Sequence, residues 1–171
     1  MRAFTFGVTL AATALAVACG SPEADNPHLV IGAGGFTLSL PPAMQQSLNE
    51  LAPGFQQVRS ASFRSDVSQA AAESGGGIQA LFAVVADFDG DGTMDAAVEG
   101  AAAGDTSLVV VAILNKGSQP IAMEVTRFPT YDADAVGIYL SKPKSFGAFQ
   151  VVNYPDASTT YAFRGGKFVA Q

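Results

Sequence analysis

Ala80-Leu81-Phe82-Ala83-Val84-Val85-Ala86-Asp87-Phe88-Asp89-Gly90-Asp91-Gly92-Thr93-Met94-Asp95-Ala96-Ala97-Val98-Glu99 sets four aspartates between two apolar runs. An uninterrupted apolar run bounded by turn residues reads as a strand covered on both faces. The small apolar residues after Asp95 read as the strand that returns beside it. Between them, Gly90 and Gly92 supply the positive φ that a tight loop requires and that side chains with a Cβ rarely adopt. The stretch predicts strand–loop–strand, and therefore an antiparallel pairing, as the centre of the fold.

The loop also has a chemistry. Counted from Asp87, side-chain oxygens stand at positions one, three, five and nine, on Asp87, Asp89, Asp91 and Asp95, and Thr93 can offer its backbone carbonyl at position seven. Calcium takes roughly six to eight oxygens, and alternate residues of a curled loop can all point inward to supply them. Without a cation, the clustered carboxylates repel one another and loosen the loop. Magnesium fits less well, because it demands tight octahedral geometry and releases water reluctantly. The expectation is one calcium ion in a structural role. An EF-hand does not fit, since position twelve falls on Val98 and the lead-in is a strand.

Strand, Asp-x-Asp-x-Asp-Gly-x-x-Asp and a small-apolar strand, over about residues 81–99, resemble the calcium loop of FG-GAP and VCBS-type repeats. That resemblance implies Asp87, Asp89, Asp91, Thr93 and Asp95 as the ligands. Those repeats usually form the blades of a β-propeller, which needs several blades. A single loop in 171 residues rules out a complete propeller. The chain looks instead like small exported bacterial proteins that embed one such loop in an α+β domain.

Working outward, strands are predicted over 78–86, 95–99, 107–114, 121–128, 136–140, 148–154, 160–163 and 167–169. Asn115-Lys116-Gly117-Ser118 and Gly165-Gly166 serve as turns. Upstream, Phe36-Thr37-Leu38-Ser39-Leu40 alternates like a strand after the turn-like Gly32-Ala33-Gly34-Gly35. Met44, Leu48 and Leu51 recur at helical spacing between Pro41-Pro42 and Pro53-Gly54. Residues 55–77 show no period. Phe36, Phe55, Phe63, Phe82 and Phe88 are expected in the core, and Tyr131, Tyr139, Tyr154 and Tyr161 at its rim. The predicted fold class is α+β, mainly antiparallel sheet with one N-terminal helix.

The amino terminus carries an address. Met1-Arg2 precedes sixteen uncharged, mostly apolar residues, too few for the roughly 20 that span a bilayer. Leu15-Ala16-Val17-Ala18-Cys19-Gly20 resembles a bacterial lipobox, which implies lipid on Cys19, the only cysteine. Ala16-Val17-Ala18 also suits ordinary signal peptidase, which would yield a soluble secreted protein. The expected organisation is a signal peptide over 1–18, a lipid-proximal tether over 19–27 and one domain over 28–171. Gly20, where inner-membrane lipoproteins of the enteric type carry aspartate, favours the outer membrane.

Without residues 1–18, 8 basic residues face 15 acidic ones, a balance of −7. No basic cluster suited to phosphate appears, so nucleic acid is not an expected partner. His28, the only histidine, lies near the tether, where a solvated or capping role is expected. No cysteine nucleophile, Gly-x-Ser-x-Gly elbow, zinc ligand set or phosphate loop is present. The reading is a non-enzymatic module, lipid-anchored at the cell envelope, that binds a protein or glycan. Its alternative is an inhibitor or accessory subunit of an envelope enzyme such as a cell-wall hydrolase. A third reading is a small hydrolase using loop acids, which alanine substitutions at Glu99 and Glu124 would test.

Overall fold

The computed structural model describes residues 25–73, 80–143 and 147–171. The expected signal peptide, Cys19 and most of the expected tether lie outside the described residues. Asp25 and Asn26, at the end of that tether, already bond to the domain: the Asn115 side-chain amide donates to Asp25 O at 2.9 Å.

The described chain opens with a hairpin of β1 (His28–Gly32) and β2 (Gly35–Ser39), paired antiparallel around the glycine-rich turn. β1 went unread in the sequence because only its partner alternates. The outer edge of β2 is capped by side chains. Ser60 Oγ accepts from Phe36 N at 3.1 Å, and the Gln57 amide bonds both Leu38 N and Leu38 O, at 3.1 and 3.0 Å.

Helix α1 (Pro42–Leu51) follows, with Pro42 in its first turn, where the missing N–H has no intrahelical partner to lose. Met44 and Leu48 are buried, but Leu51 is 42% exposed, so the apolar face ends one turn earlier than its spacing implies. The helix lies on β6 and β7. Ser47 Oγ fastens it there, donating to Pro120 O at 3.2 Å and accepting from Ala122 N at 3.1 Å.

The expectation of a single helix is corrected by α2 (Ser65–Ala71), which follows β3 (Gln56–Gln57) and a 3-10 turn at Ser60–Ser62. Val67 is the one fully buried side chain of α2, so the helix has no apolar period to read. Its backbone is placed by tertiary contacts, as Arg64 N donates to Val136 O at 3.2 Å and Val136 N to Ser62 O at 2.8 Å.

The remaining strands are β4 (Ala83–Ala86), β5 (Asp95–Ala101), β6 (Leu108–Leu114), β7 (Ile121–Phe128), β8 (Ile138–Ser141), β9 (Ala148–Asn153), β10 (Ala157–Arg164) and β11 (Lys167–Ala170). They build two antiparallel sheets. In one, the order is β3-β5-β6-β7, with β4 sharing the β3 edge of β5; the other runs β11-β10-β9-β8. The fold is mainly antiparallel sheet with two helices among the described residues.

Every residue of β5 and β6 is buried; β6 accordingly reads as an unbroken apolar run, whereas β5 carries two buried carboxylates, Asp95 and Glu99, among small apolar residues. The second sheet meets the first along β8, where Leu140 N donates to Leu81 O at 2.6 Å. Tyr139, expected at the rim, is buried at this seam, whereas Phe36 and Phe55 are only half-buried. Gly165 and Gly166 take φ of 58° and 85° in the two-residue turn between β10 and β11, the geometry whose twist matches a hairpin.

Candidate metal centre

The aspartate loop joins β4 to β5 and is held by one residue that faces away from it. Phe88 is 3% exposed and enters an aromatic cluster of the second sheet, with ring centroids 5.4 Å from Phe149 and 5.7 Å from Phe168. Phe168 in turn contacts Phe149 and Phe163 at 5.5 and 5.3 Å. An apolar side chain between two acidic positions thus pins a charged loop to the core.

Inside the loop, carboxylates accept backbone N–H groups. Asp87 Oδ1 takes Gly90 N at 2.7 Å and Oδ2 takes Gly92 N at 3.0 Å. Asp89 Oδ1 accepts from Asp91 N at 3.2 Å, and Asp91 Oδ1 from Thr93 N at 2.8 Å. Gly90 and Gly92, at φ of 79° and 88°, make these closures possible. Thr93 shares its hydroxyl proton between Asp91 Oδ1 and Asn115 O, 2.9 Å away.

Asp95 closes the loop from below. It is fully buried at the start of β5, where Oδ2 accepts from Phe88 N at 2.7 Å and Oδ1 from Asn115 N at 2.8 Å. Burial pushes its carboxyl up to about 6; the two amide donors oppose the shift, and the charges of Asp89 and Asp91 add to it.

One oxygen from each of Asp87, Asp89 and Asp95 lies within 4.8 Å of the other two, a grouping that can hold a metal ion. Two further expected ligands stand outside this trio. Asp91 is turned toward the β6–β7 turn, where Lys116 Nζ lies 2.6 Å from Asp91 Oδ2 and makes a still closer ion pair with Asp89 Oδ2. The lysine is the main reason that Asp91 is held down at about 2, with the Thr93 donors adding to it. Thr93 occupies the loop wall through its hydroxyl and N–H.

Asn115, through its backbone N–H and carbonyl, and Lys116, through its ammonium, are the loop's principal partners from elsewhere among the described residues. The sequence marks them only as a turn, because their approach to residues 87–95 depends on the pairing of β5 with β6. That register sets Ala96 opposite Ile113 and so brings the ends of the two strands together. Asn115 reaches further, to Asp25 O and toward Asn26, whose Oδ1 also accepts from Met94 N at 3.4 Å. The first described residues therefore lie against the loop.

Glu99 and Glu124 differ in their surroundings. Glu99 is fully buried in β5, both carboxylate oxygens lack a hydrogen-bond partner, and burial pushes its carboxyl well up. Glu124 is partly exposed and takes Arg127 Nη2 at 2.6 Å, an ion pair that lowers its carboxyl. His28 makes a local contact, its Nδ1 3.2 Å from Asn26 O. Among known proteins, no family model matches this chain, no curated protein matches it and no solved structure matches it.

Proposed function

We propose that this chain is an exported, lipid-anchored domain of the cell envelope whose loop 87–95 holds one calcium ion in a structural role and whose task is binding rather than catalysis. The observation that carries the ion is the grouping of Asp87, Asp89 and Asp95 oxygens within 4.8 Å in a loop built on two positive-φ glycines. All-oxygen donors suit a hard cation, and calcium accepts irregular loop geometry that magnesium, with its demand for a tight octahedron, does not. Asp91 and the Thr93 carbonyl complete the shell once Asp91 turns inward. The ion is assigned a structural role because it would tie β4 to β5 beside Phe88.

Extracellular calcium modules bind in the range of about 0.1–1 mM, and ten times the dissociation constant adds about 1.4 kcal/mol to stability. That is useful to a domain whose only cysteine, Cys19, is assigned to lipid. The test is a thermal melt of the chain in excess chelator, then with calcium, then with magnesium. A calcium-selective rise of about 3–5 °C, lost in Asp89→Ala, is expected. An unchanged midpoint at millimolar calcium refutes the ion. The address is tested by Cys19→Ser, which should abolish metabolic lipid labelling and release the protein from membranes; labelling that persists refutes the lipid anchor.

A further inference from the structure

We infer that Lys116 is the loop's built-in counter-cation: its ammonium holds Asp89 and Asp91 while no divalent ion is bound, and it must leave before one is coordinated. Ion uptake and lysine release are then one exchange. This rests on the reading of loop 87–95 as a calcium site and describes how that site is regulated.

Three observations carry it. Lys116 Nζ contacts oxygens of two expected ligands at once, Asp91 Oδ2 at 2.6 Å and Asp89 Oδ2 closer still. Asp89 has only 5% of its side chain exposed, and its Oδ2 has no hydrogen-bond partner beyond this ion pair. An enclosed carboxylate oxygen that stays ionised needs a cation or a donor, and here it has the ammonium. Finally, Asp91 is the one loop aspartate absent from the close grouping of oxygens, and its Oδ2 is held by the lysine.

The exchange follows from charge and geometry. A divalent ion bound through Asp89 would meet the ammonium that now sits on its Oδ2, and the repulsion between two cations held this close favours release of the lysine. Lys116 can yield because it lies in a turn and is one-third exposed, so its flexible stem can carry the ammonium into water. Once freed, Asp91 can rotate toward Asp87, Asp89 and Asp95. The lysine thus keeps the loop folded when calcium is scarce and sets the concentration at which calcium takes over.

The test uses the full-length chain in mild detergent with calcium alone as the probe. Lys116→Met should bind calcium about tenfold more tightly, an effect of about 1.4 kcal/mol. The same variant should melt lower in chelator and gain more on calcium addition, whereas a lysine that merely packs would lower both midpoints equally. Lys116→Arg, which keeps the charge, should stay near wild-type affinity. Acetylation of Lys116 in the wild type, followed by peptide mass spectrometry, gives a readout that no mutation can disturb. It should run several-fold faster in calcium than in chelator.

If the wild type binds calcium while Lys116→Met leaves the affinity unchanged, or acetylation ignores calcium, the exchange is overturned and the ion site stands. If the wild type takes up no calcium, the site itself is refuted and the exchange falls with it.

Discussion

Glu99→Gln should stabilise this protein at neutral pH and leave it nearly unchanged in acid. Glu99 sits in mid-β5, opposite Val110, with its backbone N–H bonded to Phe82 O at 2.9 Å and its carbonyl taking Val58 N at 3.1 Å. Its side chain is sealed from solvent, no hydrogen bond reaches either oxygen, and burial is the sole cause of its raised pKa. The folded protein therefore keeps a proton that the unfolded chain, near the usual glutamate value of 4.5, gives up. Stability is fully present below that value and falls as pH rises, by about 1.4 kcal/mol per unit, until the buried carboxyl itself ionises. Each such unit corresponds to roughly 3–5 °C in midpoint for a domain of this size. Glutamine matches the protonated side chain in shape and lacks the titration. The assay is urea or thermal unfolding of both proteins from pH 4.5 to 7.5 in constant chelator, which keeps the loop aspartates common to the two. The variant's advantage should grow with pH. An advantage that is the same at both ends would mean that Glu99 is ionised in the native state and that water or a cation reaches it.

Asp95→Ala should cost about 2–4 kcal/mol even in chelator, because it leaves the Phe88 and Asn115 N–H groups buried without an acceptor. Chemical denaturation reads this directly, and a loss below 1 kcal/mol would assign Asp95 to the ion alone. The calcium-induced rise in melting temperature should shrink as pH falls through about 6, where the ion-free Asp95 takes up a proton and ceases to be a ligand; a rise constant from pH 7 to pH 5 would contradict this. Gly100→Ala should destabilise by about 2–3 kcal/mol or more, since its Cβ would come within 2.6 Å of the Phe55 ring and closer still to Gln56 O. A melt near the wild-type value would mean that β3 is free to move off β5.

Periodicity and turn chemistry carried most of the second half of the chain. The strand expected at 121–128 is observed as β7 (Ile121–Phe128), and the others from β5 onward fall within three residues of their expected ends. Their runs lie in a sheet whose central strands are covered on both faces, so local composition already reports burial. The first half was less legible. β1, β3 and α2 each have too few buried side chains to leave a period; β1 is held by the neighbouring β2, while β3 and the approach to α2 take hydrogen bonds from strands far along the chain. The division is the same at the site. The loop's aspartates and glycines are contiguous, so their spacing alone marked a candidate cation site, of whose expected donors the fold groups Asp87, Asp89 and Asp95. Only tertiary structure decided that Asp95 is a buried hinge pin and that Asp91 faces outward. Lys116 and Asn115 reach the loop across the β5–β6 ladder, and Glu99 is sealed by elements on either side of its strand. Charge state and partnership depend on which side chains converge in space, and a strand's own residues do not record what its neighbours bring.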